Sequence, residues 1–184
     1  MTAPGALLAS LRDGGEGAEV ARGQLAYQPG APNAGERAAL RAEVARELAA
    51  SLHPGDRPLA RWLLEQEIAA HETAGRGASE ALYTLIAAVA RYADPDDVLL
   101  LWRARNATPE TRAGVDVEQA ARAGVERVRR RLRALVGRGG PRARDAAEAL
   151  EWLEQGLAAG AGEDLPGYFA WADERFGVRV CGPT

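Results

Sequence analysis

Glu67 and His71 stand four residues apart, the spacing at which two side chains share one face of a helix and could ligate the same metal ion. Two ligands do not complete a site. The only other histidine is His53, the only cysteine is Cys181, and there is no second pair of the kind that diiron bundles use. His71 also borders the apolar Leu64 and Ile68, so it reads as a hydrogen-bonded histidine at the edge of a core. Asp94, Asp96 and Asp97 could surround magnesium, but acids at the cap and in the first turn of a helix starting at Pro95 need no ion to explain them. Ser10, Ser51 and Ser79 lack the glycine-flanked elbow of a hydrolase nucleophile, and two histidines leave no Ser-His-Asp order to argue. Cys181 lies among Val180, Gly182 and Pro183, with no helix start or basic pair to activate its thiol. Gly137, Gly139 and Gly140 follow a helix rather than a strand, so they do not read as a phosphate loop. No catalytic residue, metal site or cofactor is expected.

Binding chemistry is better represented. Nine arginines fall between Arg122 and Arg144, where Glu126 is the only acid, so this stretch carries +8; the remaining fourteen basic and twenty-five acidic residues leave −11. Lysine is absent and alanine and glycine are abundant, so codon bias in a GC-rich genome accounts for the arginines as simply as selection does. With Val128 on the buried face, steps of about 100° put Arg122, Arg129, Arg130 and Arg133 on the far side of a helix, with Arg127 and Arg131 on its flanks. Such a surface suits phosphates or an acidic protein. The plain alternative is a solvated face neutralised by Asp145, Glu148, Glu151 and Glu154 of the following helix. No aromatic residue interrupts 122–144 to stack bases, and a pI near 5.5 disfavours nucleic acid.

The connection from Trp102 to Asp116 is the second candidate. Arg103, Arg105 and Arg112 supply guanidinium groups, Asn106, Thr108 and Thr111 neutral polar groups, and a helix starting near Asp116 supplies unpaired N–H groups. Asp116 works against an anion there if it caps that helix itself.

The elements that must position these residues read as helices. Leu40, Val44, Leu48 and Leu52 form a stripe behind Asn33 and Glu36, which resemble a capping box, and Pro54 and Gly55 end it. Asp56 and Pro58 open a second helix with Leu59, Trp62, Leu63, Leu64 and Ile68 on two faces. Ser79 opens a third on Leu82, Leu85, Ile86 and Val89, and Asp94 and Pro95 a fourth over Val98 to Trp102. Val117, Ala121, Gly124, Val128, Leu132 and Leu135 predict one Arg-rich helix over 116–136. Ala146, Ala149, Leu150 and Leu153 make its successor, and Asp164 and Pro166 start a last helix with Leu165, Phe169, Ala172 and Phe176. Residues 1–33, with Gly14, Gly15, Gly17, Pro29, Gly30 and Pro32, read as a weakly structured N-terminal arm before an all-helical domain over 34–184.

The sequence thus predicts an all-α fold of six to eight helices, antiparallel hairpins packed as a bundle or as a short HEAT-like array. The likeness of Trp62-Leu63-Leu64-Glu65-Gln66 to Trp152-Leu153-Glu154-Gln155 leans toward repeats. The start of the chain lacks both a basic segment and a long apolar run, and one cysteine forms no internal disulfide, so a cytoplasmic protein without a membrane span is expected. The function expected first is a non-catalytic protein–protein interaction or regulatory module whose partner is another protein. A ligand site or enzyme using 103–116 comes second, and nucleic-acid binding through the Arg-rich helix third. All four tryptophans, Trp62, Trp102, Trp152 and Trp171, are expected mainly in the core, and an exposed one would mark a contact surface.

Overall fold

A computed structural model describes residues 3–74 and 77–181. Among them are eleven α-helices and no strand, only an isolated bridge between Leu52 and Val180. The all-α expectation holds, and one contiguous apolar cluster runs from Leu7 to Val178.

Two features run beyond the expected six to eight helices. The first is the N-terminal segment, which is not a weakly structured arm over residues 4–25. It folds as α1 (Pro4–Asp13) and α2 (Gly15–Leu25), an α-hairpin laid on α3 (Ala34–Ala50). Leu7, Leu8, Leu11, Ala21 and Leu25 are buried in the core. Gly14 and Gly15, at φ +80° and +69°, make the tight turn between the two helices, so these glycines mark a hairpin rather than disorder. Arg12 then pins α1: its Nε and Nη2 donate to the two Asp56 carboxylate oxygens at 3.0 and 2.7 Å, and Nη2 also donates to the Ser51 carbonyl at 2.6 Å.

A 3-10 turn at Pro54–Asp56 leads into α4 (Arg57–Ala74), and α5 (Glu80–Arg91) returns against it. The Ser79 hydroxyl accepts from the Leu82 N–H at 3.2 Å, capping α5 as expected. From Ala81 to Ala90 every residue of α5 except Tyr83 is buried, which makes α5 the axis on which α3, α4, α6 (Val98–Asn106) and α8 (Val117–Ala121) pack. Between α6 and α8 the expected polar connection contains a further short helix, α7 (Pro109–Gly114), started by a reciprocal Thr108–Thr111 capping box.

The second departure is in the Arg-rich segment. It is not one helix over 116–136, because Gly124 takes φ +90° and separates α8 from α9 (Val125–Arg138). A residue at positive φ interrupts an α-helix, so the apolar period that passes through Gly124 in sequence is shared by two separate helices. The chain continues as α10 (Ala143–Ala158), which pairs with α9 as a hairpin, and ends with α11 (Leu165–Arg175), started by Asp164.

Candidate binding sites

On α9 only Val128 and Leu132 are buried, so most of this helix faces solvent. Its arginines divide into two groups. Arg129 lies bidentate on Glu154 of α10, at 2.7 and 2.9 Å, and also pairs with Glu126; the hydrogen bond from Arg129 holds the Glu154 carboxyl below its usual range. Arg131 reaches Asp96 at 2.6 Å, and Arg133 stands 3.8 Å from Glu154. Arg127 and Arg130 have no ion-pair partner among the described residues and, with Ala134 and Arg138, line one outward stripe at spacings of three and four. Arg122, expected on that same face, is turned away by the Gly124 break: it lies bidentate on Asp173 at 2.7 and 2.6 Å and over the Phe169 ring at 4.8 Å.

These contacts tie Arg122, at the end of α8, to an aromatic edge that sequence reasoning missed. Trp171, expected in the core, is 51% exposed, and α11 buries only Ala172. Tyr168 and Phe176 flank Trp171 at ring distances of 5.5 and 6.3 Å, Phe169 lies 6.0 Å from Tyr168, and Phe176 stacks on Tyr83 at 6.1 Å. The Tyr168 hydroxyl donates to Asp116 at 3.1 Å, and burial together with that carboxylate pushes its ionisation up. Asp116 therefore faces α11 and makes no side-chain cap on α8. The signal for this edge in the sequence was density alone: Tyr168, Phe169, Trp171 and Phe176 fall within nine residues.

The three arginines of the 103–116 segment do not converge. Arg103 leaves it to lie bidentate on Glu72, at 2.9 and 2.6 Å. Arg105 and Arg112 are brought together on an open groove of about 500 Å³ that also meets Asp116, Glu118 and Trp152. Arg105 caps the pair formed by the Trp102 and Trp152 rings, 5.3 and 5.2 Å from their centres, while those indoles lie 5.5 Å apart. Burial, and then the charge of Arg112, lower the proton affinity of its guanidinium.

Glu67 and His71 share one helical face as their spacing implies, and both are buried. The Arg41 guanidinium occupies the place a metal would need, its Nε donating to Glu67 at 2.5 Å. No group of three potential metal ligands occurs among the described residues. Burial raises the Glu67 carboxyl, but the hydrogen bond with His71 and the charge of Arg41 outweigh it and hold the group below its usual range. His71 Nε2 lies 3.0 Å from the Ser79 hydroxyl, which donates to Glu67 at 3.3 Å. The Ser79 oxygen serves as the α5 cap, and His71 Nδ1, the atom that a third group would orient, has no partner among the described residues. The acids at 94–97 are likewise structural: Asp94 accepts from the Asp96 N–H, and the buried Asp97 is held bidentate by Arg57 and also paired with Arg61.

No protein-family model, no curated protein and no solved structure matches this chain.

Proposed function

We propose that this protein is a non-catalytic protein–protein interaction module whose contact surface is the aromatic edge on α11, with the outward arginines of α9 as a charged surface for the same partner. The observation that carries this reading is the exposure of Trp171 within a cluster of four other aromatic rings. Exposed indoles surrounded by aromatic rings favour interface hot spots, since a large rigid ring gains much contact area for little lost freedom. Charge complementarity names the chemistry of the partner: with Arg127 and Arg130 unengaged, the surface fits an acidic segment bearing a large apolar side chain. A cytoplasmic setting accompanies this proposal, on the strength of a single cysteine.

Nucleic acid is the poorer fit, because Arg122, Arg129 and Arg131 are held by carboxylates of the chain itself. Size-exclusion chromatography with mass spectrometry, on the protein expressed in its native host, tests the reading. A protein carrying an acidic segment, retained by the native form and lost on Arg127→Glu with Arg130→Glu, is the expected result. Retention on DNA or heparin without any protein partner would favour the nucleic-acid reading instead.

A further inference from the structure

The groove formed by α6, α7, α8 and α10 joins two features that a folded chain ordinarily avoids. A half-buried cation is held away from every described carboxylate, and a second cation stands beside it. Elsewhere this chain answers its partly buried or buried arginines with acids or with several oxygen acceptors: Arg12 has Asp56, Arg41 has Glu67, Arg57 has Asp97, Arg122 has Asp173, and Arg37 has Asn33 with the Gly23 and Ala26 carbonyls. Arg105 has two indoles instead. Its Nε is buried without a partner, and its only hydrogen bond among the described residues is a long one, 3.4 Å, from Nη1 to the Asn106 side chain. Contact with both indoles restrains the guanidinium before any ligand arrives, so less of its freedom remains to be lost on binding.

We propose that this groove binds a small anion carrying carboxylate or phosphate oxygens, held between the guanidinium groups of Arg105 and Arg112. The shape of the groove favours that occupant. Its lining includes Gly156, Ala159, Gly160 and Ala161, small residues that leave the groove open. Its base is fixed where α8 crosses α10, so closely that a Cβ added at Gly156 would stand 2.5 Å from Val117. Asp116 and Glu118 also line the groove and oppose negative charge beyond the reach of the two guanidinium groups, which disfavours an extended polyanion most. The Trp102 and Trp152 rings already contact each other and Arg105, which disfavours them as stacking platforms for a nucleobase. Binding would set two charge-assisted hydrogen bonds against the burial of Arg105 and its repulsion from Arg112, which together lower its proton affinity.

The indole N–H resonances of Trp102 and Trp152 are the natural reporters. The full chain is titrated with sodium phosphate and separately with sodium acetate, at constant ionic strength set by chloride, and followed by proton–nitrogen correlation spectra. The expected result is a saturable shift of these two resonances with at least one anion, weakened about tenfold in Arg112→Gln and unchanged in Arg142→Gln, an exposed arginine outside the groove. Saturation by phosphate alone assigns a phosphoryl ligand, and by acetate alone a carboxylate; either supports the site. No saturation with either anion at tens of millimolar, or an equal response in Arg112→Gln, overturns it. Arg112 is exposed, so its replacement tests the site without testing the fold. The titration involves no residue of the α11 edge, so its failure and that of the interaction reading are told apart.

Discussion

The guanidinium of Arg41 meets the carboxylate of Glu67 at 2.5 Å, joining α3 to α4 with side chains only 2% and 5% exposed. The same guanidinium donates to the Leu25 carbonyl at 3.2 Å and so ties the last turn of α2 to the pair. Removing one partner leaves the other charge buried and unmatched, so Glu67→Ala should cost about 3–5 kcal/mol in denaturant unfolding. A loss below about 1 kcal/mol would place the pair outside the stabilising network.

The Glu67 carboxyl also gives a pH dependence. Its acidity is greater folded than unfolded, so its contribution to stability is fully present above the ordinary carboxyl range. That contribution is lost as pH falls through the still lower folded value. The wild type should therefore lose more stability than Glu67→Gln on acidification below about pH 4, measured by urea unfolding across the acid range. Parallel curves for the two forms would contradict this assignment.

At Gly124 the backbone lies at φ +90°, where a Cβ is strained whatever space surrounds it. Gly124→Ala should destabilise the fold by about 1–2 kcal/mol, although alanine favours helices. A stabilised Gly124→Ala would mean that α8 and α9 fuse into one helix in solution.

Leu25 is fully buried beneath α3, so Leu25→Ala should cost about 2–4 kcal/mol in a single cooperative transition. An N-terminal segment that merely rested on the surface would give almost no change, and the thermal unfolding midpoint separates the two outcomes.

These positions show what could be read from the chain and what could not. Local signals were legible: Ser79, Asp94 and Asp164 cap where their types and spacing put them, and the stripes on α3, α4, α5 and α10 face the core. Glycine was misread in two directions, as disorder at Gly14 and Gly15 and as a neutral stripe member at Gly124. Beside each of these glycines an arginine pairs with a remote acid, Arg12 with Asp56 and Arg122 with Asp173, contacts that spacing along the chain does not show. The arginines obey the same limit. Arg105 and Arg112 do share a groove, but Arg103, Arg131 and Arg133 are drawn to Glu72, Asp96 and Glu154. Nor could periodicity reveal that α11 turns its tryptophan outward, since its aromatic residues outnumber the positions its one buried residue, Ala172, leaves inside.

The central claim rests on Trp171, and the most direct measurement is the affinity of the copurified partner for the native protein and for Trp171→Ala. An exposed side chain contributes little to folding, so the variant should keep its thermal midpoint while binding weakens by about 2 kcal/mol, close to thirtyfold. Unchanged affinity, or a native protein that elutes alone with no partner to measure, would contradict an interaction surface on α11.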